Sequence, residues 1–325
     1  MKRFAIWLGA ALAFAALPAA AQDGAGKDWP TRPVRIVVPF GPGSTPDIVA
    51  RLIGEQLQQR LGQPFVVENK AGASGNIGTD AVAKAEPDGT TIGVSIGGPL
   101  AINTLLFSKL PYDPETDLAA VTQLVTQPSA LVVPAGLGVN TVQDLLALIK
   151  KEPAKFPFGS IGNGSLSHLA MEALAQKAGV KLVHVPFSSS PNAATAVIRG
   201  DVQMACLPAA SVTELAKAGQ VKILAVSTAK RSTLLPDVPT LKESGLDVEA
   251  DAWMGLIAPA KTPAAIIDKL NKHVVEIIHL PAVKEKLAGV VMEPVGSSPE
   301  DFRKRIRAEI GIWEPVVKAG NIKIN

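Results

Sequence analysis

Val34-Arg-Ile-Val-Val-Pro-Phe-Gly-Pro-Gly-Ser-Thr-Pro-Asp-Ile-Val-Ala-Arg51 is the stretch that decides how this chain reads. Val34, Ile36, Val37 and Val38 form a short apolar, β-branched run, the composition of a buried strand. Gly41 to Ser44 turn the chain. Thr45 followed by Pro46 then sets a capping hydroxyl before a proline whose fixed φ suits the first helical position. The unit is strand, tight turn, helix. Gly41 and Gly43 let backbone N–H groups crowd the positive end of that helix, so the turn is able to hold an anion, such as a small carboxylate, without a charged side chain. An ordinary βα turn carries the same signals, and these residues alone leave both readings open.

Outward from this unit the chain alternates. The helix predicted over 45–61 puts Ile48, Leu52, Ile53 and Leu57 on one face and is closed by Gly62 and Pro64. Phe65 to Val67 reads as a second strand, and the glycine-rich turn from Glu68 to Gly78 leads into a helix near 79–85. Thr90 to Ile96 reads as a third strand, ending in Ser95-Ile96-Gly97-Gly98-Pro99. Three strands that finish in small-residue loops predict a parallel arrangement, whose right-handed crossovers bring those loops to one sheet edge.

Leu110-Pro-Tyr-Asp-Pro114 is a proline-fenced turn, Leu124 to Val133 is an extended segment, and a second series follows. Thr141 caps a helix through Lys151, Phe158-Gly-Ser160 ends a strand, and Gly162-Asn-Gly-Ser165 turns into a helix over 166–178. Strands at 182–185, 202–207 and 221–226 alternate with helices at 191–199 and 211–218. Residues 248–258 form a second extended passage, and helices over 264–278 and 299–318 follow. Two crossings between two α/β series predict two lobes with a cleft between them. Lobe 1 takes 28–127 plus 254–325 and lobe 2 takes 128–253, with hinges near 126–133 and 248–256 and Trp253 at the second.

The start of the chain carries an address. Met1-Lys2-Arg3 is basic, Phe4 to Leu17 is apolar and uncharged, and Ala19-Ala20-Ala21 fits a cleavage site, so residues 1–21 read as a secretory signal and the protein as periplasmic. That run is too short for a comfortable membrane span. Cys206 is the single cysteine, which excludes an internal disulfide and, lying far from the cleavage site, gives no lipid anchor. Without Lys2 and Arg3 the chain keeps 30 basic against 29 acidic residues, a balance that supports neither a nucleic-acid nor a membrane-surface partner.

At this point a resemblance enters. Pro39 to Arg51, Glu68-Asn-Lys-Ala-Gly-Ala-Ser-Gly-Asn-Ile-Gly78, Pro87-Asp-Gly89, Leu110 to Pro114, Gly162-Asn-Gly-Ser-Leu-Ser-His-Leu-Ala170 and Trp253-Met-Gly-Leu-Ile-Ala-Pro259 resemble, in order, the signatures of the tripartite tricarboxylate transporter substrate-binding proteins, the Bug or TctC-like receptors. The resemblance implies a type II periplasmic-binding-protein fold, two α/β lobes that close on a small organic acid held mostly by backbone amides, hydroxyls and water. It implies a monomer that delivers its acid to integral-membrane transporter subunits, with no cofactor, no metal and no catalysis. A ligand-sensing partner of a membrane signalling kinase is the alternative role.

The loops named by the resemblance are those of the residue-level reading. On lobe 1 the expected ligand-binding residues are Phe40, Gly43, Ser44, Thr45, Asp47, Ala73, Ser74 and Ser95; on lobe 2 they are Ser160, Gly164, Ser165, His168 and Phe187. Amides and hydroxyls would take the anion, while Phe40 and Phe187 would exclude water. Asp47, at the start of a helix, suits the helix dipole as well as it suits a ligand. Three departures stand out from the family pattern: Ser44 and Ser74 where glycine is usual, and Phe187-Ser-Ser-Ser190 where a tyrosine, a basic residue and glycines are usual. These added hydroxyls predict a small, oxygen-rich acid.

Other chemistries lack their residues. Gly162-Asn-Gly-Ser-Leu-Ser has no G-x-S-x-G elbow to serve a hydrolase with His168. The four histidines, at 168, 184, 273 and 279, show no metal-ligand spacing. Gly72, Gly75 and Gly78 do not make G-x-G-x-x-G. Arg51, Lys70 and Arg199 read as solvated side chains rather than as carboxylate ligands.

Overall fold

The computed structural model describes residues 28–152 and 155–324, and the predicted export signal lies outside the described residues. The strands are β1 (Val34–Val38), β2 (Phe65–Asn69), β3 (Thr91–Ile96), β4 (Leu118–Gln127), β5 (Ser129–Pro134), β6 (Phe158–Ser160), β7 (His184–Pro186), β8 (Met204–Pro208), β9 (Val221–Val226), β10 (Ala252–Pro259) and β11 (Glu293–Pro294). The helices are α1 (Thr45–Leu61), α2 (Asn76–Ala83), α3 (Asn103–Leu106), α4 (Val142–Lys151), α5 (Leu166–Ala178), α6 (Ser190–Arg199), α7 (Thr213–Lys217), α8 (Ala264–Ile278), α9 (Pro281–Ala288) and α10 (Pro299–Gly320).

They form two mixed sheets. The first runs β11-β4-β10-β3-β1-β2, with β1 parallel to β2 and β3, and β10 antiparallel to β3 and β4. The second runs β7-β6-β8-β5-β9, with β6 parallel to β7 and β8, and β5 antiparallel to β8 and β9. Because β1, β2 and β3 run the same way, the loops after Val38, Asn69 and Ile96 open on one edge. Pro128, which cannot donate to a ladder, separates β4 of one sheet from β5 of the other.

Apolar periodicity accounts for the layers. Ile36, Val38, Val49, Ile53, Leu57, Ile92, Val94, Leu256 and Leu270 fill one core, whereas Leu131, Leu145, Phe158, Leu169, Leu174 and Met204 fill another. The helix α10 links the two sheets: Phe302 and Ile306 pack with Trp253 and Leu118 in a separate cluster against β10 and β4, while Trp313, Val316 and Val317 pack with the second core. No described helix is long and apolar enough to cross a membrane.

Two local expectations are corrected, and one helix goes all but unannounced in the sequence. The N-cap of α1 is Ser44 rather than Thr45, and its hydroxyl makes no capping bond; Thr45 and Pro46 are the first two helical residues. The second helix starts at Asn76, inside the glycine-rich turn, because Gly75 adopts the left-handed conformation that caps it. The helix α9 is signalled only by Pro281, since its eight residues turn just Val283 and Leu287 inward, too few to show a period.

Candidate functional site

A cavity of about 420 Å³ opens between the two sheets. From the first come Phe40, Thr45, Ser74, Ile96 with Gly97 and Gly98 where β3 passes into a helical segment, Ile102 and Asn103, and from the second Ser129, residues 161–167 and Pro208. Gln127, residues 251–254, Glu309 and Ile324 close it on the side of the crossing strands and the last helix. Among the described lining residues there is no Lys or Arg. What faces an anion is therefore the start of α1 at Thr45 and the start of α5 at Ser165, whose first-turn amides lack intrahelical acceptors and carry the positive end of the helix dipole.

Of the residues expected from sequence, Phe40, Thr45, Ser74, Gly164 and Ser165 line this cavity. The others stand behind them. Asp47 is 3% exposed and its carboxylate accepts from the Gly43 amide at 2.9 Å, from Arg51 Nε at 3.0 Å and from Asn69 Nδ2 at 2.9 Å. Burial pushes that carboxyl up, but the bonds from Arg51, Gly43 and Asn69 and the Arg51 charge outweigh it and hold it below the usual aspartate range. Asp47 thus ties the Gly41–Ser44 turn to β2. Ser44 Oγ is buried without a partner, and Gly43, at φ +78°, supplies the turn. Ser95 is buried with its hydroxyl 3.3 Å from Thr79 Oγ1. Phe187 packs behind β6 in a third apolar cluster, beside Gly159.

The loop at 72–76 is held by a buried polar chain. Asn103 Nδ2 donates to Asn76 Oδ1 at 2.6 Å and to the Ser74 carbonyl at 3.2 Å, and the Tyr112 hydroxyl donates to the Pro99 carbonyl at 2.8 Å. Ala73 and Ser74 both sit at positive φ, 46° and 55°. Gly75 permits the close packing beneath them: a Cβ there would stand 2.6 Å from Pro99 and 2.9 Å from the Phe40 ring.

On the other wall, the Ser165 hydroxyl caps α5 by accepting from the His168 amide at 3.2 Å and donates to the Gly162 carbonyl at 2.7 Å. The Gly164 amide is already spent on His168 Nδ1 at 3.1 Å, which leaves the His168 proton on Nε2, 3.7 Å from Glu172. Ser160 is buried and lies 2.6 Å from His184 Nε2. His168 and Ser160 thus brace the loop from below rather than line the cleft.

Sequence reasoning passed over Asn103, Gln127, Ser129, Asp251 and Glu309. Gln127 and Ser129 flank Pro128 at a crossing, a signal available in the chain; Glu309, on a helix far along the chain, offered none. Glu309 is 2% exposed, receives the Trp313 indole N–H at 2.7 Å and pairs with Arg305 at 3.1 Å. Burial raises its carboxyl above the usual glutamate range against the pull of Arg305. No group of three or more His, Cys, Asp or Glu able to hold a metal ion occurs among the described residues.

Comparison with known proteins gives a consistent picture. The model of the tripartite tricarboxylate transporter family receptor, TctC, matches residues 49–322. BugT of Bordetella pertussis is 35% identical over 298 residues, covering 91% of this chain and 91% of that protein. The solved structure of Rpa4515 of R. palustris with adipate is 36% identical, with a TM-score of 0.80 over 91% of this chain and 99% of that one. That of MatC from Rhodopseudomonas palustris with bound malate is 32% identical, with a TM-score of 0.75 over 89% of this chain and 100% of that one.

Proposed function

Because this chain belongs to the tripartite tricarboxylate transporter receptor family, we propose that it is an exported, periplasmic receptor that captures a small organic acid between its lobes and delivers it to membrane transporter subunits. The observation that carries the reading is the meeting of two helix starts, at Thr45 and Ser165, in one cavity without lysine or arginine among its described lining residues. Backbone dipoles from opposite lobes then share one carboxylate, and each lobe gains by closing on it. Relatives solved with adipate and malate support an acid as the ligand class.

Closure follows the two crossings. One is Pro128, between β4 and β5, and the other leads from β9 into β10. With these as hinges the first sheet and its helices move against the second, while the end of α10, at Trp313, Val316 and Val317, stays packed in the second core. Titration calorimetry against a panel of carboxylates tests the reading: heat of binding for at least one small acid is expected, with the acid recovered unchanged by mass spectrometry. Binding of none, or turnover of the bound acid, would overturn it. Co-purification with membrane transporter subunits is expected, and capture of a sensor kinase instead would reassign the partner.

A further inference from the structure

The cleft has two unlike ends. One is made by the helix starts. The other is made by Asp251, Trp253 and Glu309, which line the cavity where the second crossing enters β10. Asp251 immediately precedes β10, Trp253 is its second residue, and Thr126, the ladder partner of Trp253, reaches Asp251 with its side chain.

Asp251 Oδ2 accepts from the Thr126 hydroxyl and Oδ1 from Arg305 Nη2 at 2.8 Å. Each carboxylate oxygen keeps the capacity to accept once more. Arg305 also lies 3.1 Å from Glu309 and 3.5 Å from Glu249, so a single guanidinium faces three carboxylates. Trp253 presents the opposite need. Its residue is 1% exposed and its Nε1 has no hydrogen-bond partner; it leans toward Glu309 without reaching hydrogen-bond geometry. A buried donor left unpaired costs free energy that a ligand recovers by supplying an acceptor.

Three ligand groups can be weighed at this corner. A second carboxylate would accept from Trp253 but add a negative charge where one guanidinium already faces three. An ammonium would donate to Asp251 but has no lone pair for the indole. A hydroxyl donates to Asp251 and accepts from Trp253 while remaining neutral.

Resting on the receptor reading above, we infer that the acid this cleft selects carries one carboxylate, for the helix starts, and a hydroxyl at its far end, held between Asp251 and Trp253. Asp251 and Trp253 are then the specificity-determining pair.

Titration calorimetry on the full chain, with two matched series, tests this. One series is butanoate, its ω-hydroxy and ω-amino derivatives, and succinate; the other is hexanoate, its ω-hydroxy and ω-amino derivatives, and adipate. In at least one series the hydroxy acid is expected to bind about tenfold tighter than its three partners, the worth of one buried hydrogen bond set against its absence. Trp253→Phe, which removes the N–H and keeps a ring, is expected to erase that preference, and Asp251→Asn to raise the relative affinity of the dicarboxylates. If the dicarboxylate or amino acid is the tightest of its series, or if Trp253→Phe weakens all members equally, this inference falls while the receptor reading stands. If no acid of any class binds, both fall.

Discussion

The imidazole of His168 lies flat on that of His184, with ring centroids 3.8 Å apart and planes 9° from parallel. Phe158 extends the stack, 5.0 Å from the His184 ring. One ring holds the Gly164 amide and the other approaches the Ser160 hydroxyl, so the pair supports both ends of the loop that walls the cleft on the second sheet.

Burial, and after it the adjoining His168 ring, lower His184 from 6.5 to about 4. Between those values the unfolded chain binds more protons than the folded one, so stability should be intact above the upper value, fall as the pH drops toward the lower one and level off below it. A fully buried site would lose about 1.4 kcal/mol per pH unit across that window, and a ring partly open to water loses less. Thermal melts at stepped pH should show this slope, and His184→Phe, which keeps the stack without the titration, should flatten it.

Asp47→Ala removes three accepted hydrogen bonds at once, leaves the Gly43 N–H without its partner and leaves the half-buried Asn69 amide only the Phe40 carbonyl. The expected cost is about 2–3 kcal/mol of unfolding free energy, read from the urea midpoint. Acid affinity should fall as well, since the Gly41–Ser44 turn loses its tie to β2. A variant as stable as the parent would show that Arg51 and Asn69 hold the turn unaided.

Gly75→Ala places a methyl group into Pro99 and the Phe40 ring at a residue whose φ is +89°. Strain and overpacking together should cost about 2–4 kcal/mol by chemical denaturation. The displaced Phe40 ring should weaken acid binding more than Gly136→Ala, where nothing lies within 4 Å of the new atom.

Closure should be visible from inside the cavity. Trp253 lines it and sits beside the second crossing, so saturating acid should change its fluorescence and shrink the radius of gyration measured by solution scattering. A Trp253→Phe chain should lose most of the fluorescence change and keep the scattering change. An unaltered radius would argue for a cleft that fills without moving.

Much of the architecture could be read from residue order alone. β-branched runs ending in small-residue turns marked β1, β3 and their crossovers, and the capping serine of α5 and the Pro46 start of α1 announced the two helix ends that meet in the cleft. Less legible was which loop residues reach the cavity. Asp47, Ser95, Ser160 and His168 look like ligands on polarity alone, yet their polar atoms are committed to Gly43, Thr79, His184 and Gly164, partners that only the folded chain brings within reach. Asp251 and Glu309 were hidden for the opposite reason: they are 58 positions apart by their numbers and are joined through Arg305, a relation with no local spacing to betray it.

The 22 residues of α10 pack at their beginning against the first sheet and at their end into the core of the second. Such a rod, about 33 Å long at the standard rise, works as a tie-bar. It would limit how far apart the two halves could drift. Any opening of the cleft would have to turn one half about this bar, and Pro315, which withholds a rung of the helical ladder between Trp313 and Val316, is where the bar is least firmly bonded.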